Sequence, residues 1–101
     1  TPMSRGAAIK LSKVGVPLWK IGSGDILDFV MLDFLRNSGL PIILSTGMST
    51  EEEIDKAVKF IQEKNNKLVI LHCVSKYPCP PEELNLGTIK YLKIKYGVPV
   101  G

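Results

Sequence analysis

What most constrains this chain is a recurring unit: an amphipathic stretch closed by Gly-x-Pro and followed at once by a short apolar run. Gly15-Val16-Pro17 leads into Leu18-Trp19-Lys20-Ile21, and Gly39-Leu40-Pro41 leads into Ile42-Ile43-Leu44-Ser45. Gly97-Val98-Pro99 stands where another such run should begin. A glycine after the last helical turn can take the left-handed conformation that closes a helix, and a proline just beyond cannot extend it. A further run, Leu68-Val69-Ile70-Leu71-His72-Cys73, follows Asn65-Asn66-Lys67, where asparagine stands in for glycine as the turn residue. The runs recur at steps of roughly 24 to 30 residues, close to the unit length of a (β/α)8 barrel of about 250 residues.

Between the runs the apolar spacing is helical. Leu27, Val30, Met31, Phe34 and Leu35 fall on one helical face, as do Ile54, Ala57, Val58 and Ile61, which leave Glu51, Glu52, Glu53, Lys56 and Lys59 for solvent. Ser49-Thr50-Glu51-Glu52 reads as a capping box between Ser49 and Glu52. Leu86, Ile89, Leu92 and Tyr96 supply the buried face of a last helix, and Ala7, Ala8, Leu11 and Val14 have helical spacing in a first one over Ser4 to Val14. The apolar runs do not alternate, as expected of parallel strands packed on one face and covered on the other. Regular alternation of strand and helix predicts a parallel sheet with right-handed crossovers. Three strands and the stub of another cannot close a barrel and would leave open edges. The expected fold is therefore α/β, with the unit length of a partial (β/α)8 TIM barrel, and residues 1–101 read as a piece of a larger domain. A small doubly wound sheet is the other arrangement, but its Gly-rich dinucleotide turn is missing.

A net charge of +3 with scattered lysines gives no nucleic-acid tract and no polybasic membrane patch. No apolar run approaches the roughly 20 residues that span a bilayer, and Thr1-Pro2-Met3-Ser4-Arg5 lacks a signal peptide's apolar core. Cys73 and Cys79 form neither a disulfide framework nor a zinc motif. Free thiols in a reducing cytoplasm are expected.

In parallel α/β folds ligands bind at the carboxyl ends of the strands. Those ends read Lys20-Ile21-Gly22-Ser23-Gly24-Asp25, Ser45-Thr46-Gly47-Met48-Ser49 and His72-Cys73-Val74-Ser75-Lys76-Tyr77-Pro78, and Thr1-Pro2-Met3-Ser4 looks like the end of a preceding strand. A cation, hydroxyls and closely approaching glycine backbone suit an oxyanion such as phosphate. Lys20 offers the charge, and Thr1, Ser23 and Ser45 offer hydroxyls. Asp25 adds a carboxylate able to hold a sugar hydroxyl or move a proton. Plainer readings stand beside these. Ser49 suits an N-cap, and Ser45 a strand end. Gly22 and Gly24 permit a tight turn. His72 suits a hydrogen-bonded core histidine and Cys73 a small buried hydrophobe, while Trp19 points away from Lys20 toward a helix. Tyr77-Pro78-Cys79-Pro80-Pro81 suits a stiff loop. A charge at the inner end of an apolar strand is costly without a partner, which favours a functional role for Lys20.

Taken in order, Lys20-Ile21-Gly22-Ser23-Gly24-Asp25, Pro41-Ile42-Ile43-Leu44-Ser45-Thr46-Gly47-Met48 and His72-Cys73-Val74-Ser75-Lys76-Tyr77-Pro78 resemble three successive strand-end motifs of the sialic acid synthase family. The family includes N-acetylneuraminate, legionaminate and pseudaminate synthases and a spore-coat polysaccharide relative. Thr1-Pro2-Met3-Ser4 matches the end of the preceding strand and Glu82-Glu83-Leu84-Asn85-Leu86 the opening of the next helix, so the resemblance covers essentially the whole chain. It implies strands four to six of the barrel and the start of the seventh. It implies a transferase that joins C3 of phosphoenolpyruvate to the open-chain aldehyde of an N-acylated hexosamine, with water adding at C2 and phosphate leaving. Thr1, Lys20, Ser23 and Ser45 would bind phosphoenolpyruvate; Asp25, Ser75 and Tyr77 would face the sugar, with Asp25 also catalytic. Some relatives carry glutamate and asparagine at the positions of Asp25 and Ser75.

The resemblance further implies a divalent metal, Mn2+ or Mg2+, whose two histidine ligands lie on later strands, beyond Gly101; His72 matches neither. It also implies a homodimer in which a C-terminal antifreeze-like domain caps the partner's active site. The chain taken alone is accordingly expected to be inactive. Two alternatives stay open: a non-catalytic half-barrel that self-associates, and an aldolase using Lys20 as a Schiff-base nucleophile.

Overall fold

The computed structural model describes residues 1–101 as four helices alternating with three strands. In chain order these are α1 (Arg5–Val14), β1 (Trp19–Ile21), α2 (Phe29–Arg36), β2 (Ile42–Ser45), α3 (Glu51–Gln62), β3 (Leu68–Leu71) and α4 (Gly87–Tyr96). The three strands are parallel and adjacent in chain order, with Trp19 opposite Ile42 and Ile42 opposite Leu68. Val100 makes a parallel bridge to Ile70. Two backbone bonds, Ile70 N–H to Pro99 O at 3.0 Å and His72 N–H to Gly101 O at 2.8 Å, tie the last residues to β3. The stub after the third Gly-x-Pro therefore pairs as a strand should.

Burial shows a two-faced sheet that the run of apolar letters conceals. Trp19, Ile21, Ile42, Leu44, Leu68 and Ile70 point into a single core together with Ala8, Met31, Leu32, Leu35, Ile54, Ala57, Val58, Ile61 and Leu92 from the helices. All four helices thus lie on one side of the sheet. Lys20, Ile43, Val69 and Leu71, on the alternate positions, are half-buried. That second face is apolar enough to be packed against but has no helix on it.

The glycines of the three Gly-x-Pro units all have positive φ: 87° at Gly15, 71° at Gly39 and 63° at Gly97. An L side chain is strained there, so glycine is what lets each helix end and the chain turn into the next strand. Asn65 does the same job differently. It is not in the left-handed region; its buried side chain donates to Leu40 O at 2.8 Å and accepts from Lys67 N at 2.9 Å. The asparagine thus ties two strand entrances together by hydrogen bonds rather than by an unusual φ.

Several helix details differ from the spacing argument. α2 starts two residues later than Leu27, with the Asp28 carboxylate accepting from Met31 N at 2.9 Å as its N-cap. This shift rotates the buried face: Leu32 is fully buried, whereas Val30 is 63% exposed and Leu27 42% exposed. In α4, Leu86 is exposed and precedes the helix, so Leu92, with half-buried Ile89 and Tyr96, makes the contact. Val14, at the end of α1, is exposed. The capping box of α3 also lies one residue later than expected. Thr50 caps the helix and accepts from Glu53 N, and the Glu53 carboxylate accepts from Thr50 N at 2.7 Å. Ser49 instead donates to Gly47 O at 3.2 Å. Thr50 has the extended backbone of an N-cap, φ −74° and ψ 161°, directly before the first helical residue, so its hydroxyl is the one that reaches the Glu53 amide.

Two polar ties lock neighbouring helices. The Arg36 guanidinium stacks 3.6 Å over the Phe60 ring, donates to Phe60 O and pairs with Asp33 and Glu63. Phe29 meets Phe60 edge-on at 5.0 Å. Between α3 and α4, Lys95 pairs with both Glu51 and Asp55, Tyr91 donates to Glu51, and Tyr96 donates to Asp55 at 2.6 Å. No helix is long and apolar enough to cross a membrane.

Replacing Thr50 with alanine should cost about 1 kcal/mol of stability, as loss of an N-cap typically does, while Ser49→Ala should be nearly neutral; denaturant melts of the two variants check this. The Glu51 and Asp55 carboxyls are held below their ordinary values of 4.5 and 3.8, chiefly by hydrogen bonds from Lys95. A lowered carboxyl pKa stabilises the fold above its unfolded value and loses that contribution as pH falls through the folded value. Stability should therefore drop as pH falls below about 4.5, and less steeply in Lys95→Met; thermal melts across pH 3 to 6 measure the difference.

Candidate active site at the strand ends

The register of the sheet puts the three strand-end loops side by side. Lys20 and Ser45 lie on the helix-free face of adjacent strands. The Lys20 ammonium donates to Ser45 Oγ at 3.1 Å. Ser45 is buried, and its hydroxyl, accepting from Lys20, keeps its own proton free to donate to a ligand. Trp19, one residue earlier, points to the other face, where its indole donates to Ser38 Oγ at 3.0 Å, just past α2.

After β1 the chain makes a single 3₁₀ turn over Ser23–Asp25, closed by Asp25 N–H to Gly22 O at 3.0 Å. This is the tight turn that Gly22 and Gly24 permit, and it aims the Ser23 hydroxyl at the neighbouring loop, where it accepts from Gly47 N at 2.9 Å. Ser75 approaches the same glycine from the third strand's loop. A methyl group at Gly47 would lie 2.9 Å from Ser23 Oγ, 2.9 Å from Ser75 Oγ and 3.2 Å from Cys73 Cβ. Asp25 is half-buried at the rim, 3.4 Å from where a methyl on Gly22 would sit. Thr46, whose role the sequence did not reveal, is buried and donates to Leu71 O through both its backbone N–H and its hydroxyl, each at 3.0 Å. It continues the β2–β3 pairing one step beyond the strand and so holds Gly47 in place.

Lys20, Ser45, Ser23 and Ser75 are thus gathered in two linked pairs, with Asp25 close by. Thr1 and Tyr77 are not. Thr1 is exposed and makes no side-chain hydrogen bond, and Tyr77 is 91% exposed at the tip of its loop. That loop is strapped at its base by His72 Nε2 against Leu84 O at 2.8 Å and by the Lys76–Glu83 pair at 2.7 Å. His72 is therefore a hydrogen-bonded histidine of the loop base. Cys73, expected to be buried, is half-exposed beside Gly47, because a strand end facing the loops has no helix above it.

No three His, Cys, Asp or Glu side chains come together in a way that could hold a metal ion. With the Nε2 of the one histidine engaged by Leu84 O, the residues of this chain do not fit a divalent metal. Two surface hollows, of about 260 Å3 beside Arg5, Asp33 and Asn37 and about 340 Å3 beside Asp55, Lys59 and Tyr96, lie among the helices and contain none of the strand-end groups. The chemistry sits instead on the open ledge of the strand ends. There the Lys20–Ser45 pair and the Ser23–Gly47–Ser75 junction stand at the ends of adjacent strands, with an ammonium and hydroxyls of the kind that a phosphate or carboxylate accepts from.

The fold is a parallel α/β one, and its strand ends carry a cation and several hydroxyls. The chain belongs to the NeuB family, whose model matches residues 1–101. It is 37% identical over 87 residues to the N-acetylneuraminate-9-phosphate synthase of Drosophila melanogaster, covering 85% of this chain and 23% of that protein. Against the N,N'-diacetyllegionaminic acid synthase of Campylobacter jejuni the identity is 33% over 104 residues, covering 100% of this chain and 31% of the relative. The crystal structure of an N-acetylneuraminic acid synthetase from Leptospira borgpetersenii, in complex with citrate, superposes with a TM-score of 0.93 at 38% identity, covering 99% of this chain and 35% of that one. The chain therefore spans about a third or less of the length of these relatives.

If the ledge is an anion site, titration with inorganic phosphate should shift the amide resonances of Ser23, Ser45, Thr46 and Gly47. Lys20→Met should weaken that binding roughly tenfold, the usual worth of one charge-assisted hydrogen bond.

Proposed function

We propose that this chain supplies the central strands, four to six and the start of the seventh, of a TIM-barrel synthase domain, and that the complete protein condenses phosphoenolpyruvate with an N-acylated hexosamine. The products are a nonulosonic acid and phosphate. The observation that carries this reading is the meeting of Lys20 with Ser45 and of Ser23 with Ser75 around Gly47, at the carboxyl ends of adjacent parallel strands. Membership of a family whose relatives include sialic and legionaminic acid synthases supplies the reaction class. The half-buried apolar face of Ile43, Val69 and Leu71 fits the interior of a closed barrel, where further strands would cover it.

In this reading Lys20, Ser23 and Ser45 hold the phosphate and carboxylate of phosphoenolpyruvate, with Thr1 joining them at the end of the preceding strand. Ser75 and Tyr77 face the sugar. Asp25, on the rim between the two, holds an acceptor hydroxyl or carries a proton to or from it. The divalent metal of the family, Mn2+ or Mg2+, would polarise the aldehyde and would be bound by residues outside 1–101. The complete enzyme would be a homodimer, and a reducing cytoplasm would suit the unpaired Cys73 and Cys79 of this chain.

The test is to assay the whole reading frame that carries these residues with phosphoenolpyruvate, Mn2+ and N-acetylmannosamine or another N-acylated hexosamine. Release of phosphate coupled to a nonulosonic acid is expected, with kcat/KM lowered about a hundredfold or more in Lys20→Met, as for loss of a positioned charge-stabilising donor. A protein that binds phosphoenolpyruvate but condenses it with no such sugar would sink the reading. A borohydride-trapped adduct on Lys20 would move the assignment to a Schiff-base aldolase.

A further inference from the structure

Gly47 belongs to no group of side chains that could bind or react, yet it occupies the point where three strand-end loops meet. Its N–H donates to Ser23 Oγ at 2.9 Å. The place where its side chain would begin lies 2.9 Å from both Ser23 Oγ and Ser75 Oγ, so the two oxygens are held no more than twice that distance apart. Gly47 itself is buried, fixed on one side by the double tie of Thr46 to Leu71 and on the other by Ser49 donating to its carbonyl. A methyl group there would have to displace the two serine hydroxyls, the movable ends of short side chains, and Cys73 Cβ, at 3.2 Å, would have to give by a few tenths of an ångström. Gly47 also keeps no positive φ, so turn geometry does not explain the glycine.

Resting on the function proposed above, we propose that Gly47 is a positioning residue that sets the spacing between the two substrates. Through Ser23 it places the phosphoenolpyruvate side of the site, and through Ser75 it places the acceptor side. Ser23 accepts from the Gly47 N–H, and the absence of a side chain at Gly47 leaves the room in which the Ser75 hydroxyl stands beside it. A bond between two substrates forms only when the reacting atoms are held close together, so the junction that fixes both hydroxyls also fixes the approach.

The test uses the complete protein and a double-mutant cycle. Gly47→Ala should weaken phosphoenolpyruvate binding, measured by calorimetry, about tenfold, the worth of one hydrogen bond to a charged group. In a Ser23→Ala background the same change should add less than twofold, because the hydroxyl it displaces is already gone. The cycle with Ser75→Ala, read on KM for the N-acylated hexosamine, should close in the same way. Additive losses in both cycles, or a Gly47→Ala protein with unchanged affinities, overturn the proposal. If Gly47→Ala does not fold, adding Ser23→Ala and Ser75→Ala must restore folding, since both atoms at 2.9 Å are then removed; failure to do so puts the constraint at Cys73 and overturns it too. Wild-type protein that does not bind phosphoenolpyruvate is a different outcome, and defeats the proposed function itself.

Discussion

Everything in this structure depends on the division of a three-stranded parallel sheet into a helix-covered face and a bare one. The six residues Trp19, Ile21, Ile42, Leu44, Leu68 and Ile70 leave water only because α1 to α4 all pack on their side. Their burial, at roughly 25 cal/mol per Å2 of apolar surface, is the main term that orders the chain. Because side chains alternate along a strand, packing these six also decides that Lys20, Ile43, Ser45, Val69 and Leu71 point the other way. A slip of one residue in register would bury Lys20 among the helices, where its charge would have no partner.

The site follows from that division. Parallel register brings Lys20 beside Ser45 and sets the loops after β1, β2 and β3 in a row. What joins them is hydrogen bonding beyond the strands: Thr46 extends the pairing to Leu71, Gly47 donates to Ser23, and the 3₁₀ turn over Ser23–Asp25 gives that serine its aim. Ser23 is therefore held by the same ladder that holds the core, whereas Ser75 reaches Gly47 from the loop after β3. The loop after β3 is held less tightly. It is strapped at His72 and at Lys76, and its tip, with Tyr77, stands in solvent.

The helix boundaries show where reading along the chain runs out. For α3, twelve residues long and strongly patterned, Ile54, Ala57, Val58 and Ile61 are all buried as their spacing indicates. α2 is short and apolar on more than one side, so Val30 and Leu32 compete for the core; the Asp28 cap and the stacking of Arg36 on Phe60 settle the rotation in favour of Leu32. The capping box falls on Thr50 rather than Ser49 although both are good caps, because Ser49 is drawn back to the Gly47 carbonyl in the strand-end loop. In the site, Lys20 and Ser45 were legible because a charge and a hydroxyl at the ends of apolar runs are conspicuous. Gly47 was visible as a letter in a motif but silent as to role, because its importance lies in the atoms around it.

The sequence by itself determined the order of elements, the three Gly-x-Pro turns, the parallel α/β class and the residue types at each strand end. These are local properties, set by backbone sterics and by apolar periodicity within a dozen residues. Tertiary structure alone decided which face of α2 is buried, how Asn65 replaces a glycine, and that Ser23, Gly47 and Ser75 share one point in space. Those three residues are separated by more than twenty positions at each step, and no local preference brings them together. Only the packing of one sheet face against four helices does so, because it fixes the register from which every strand-end side chain takes its direction.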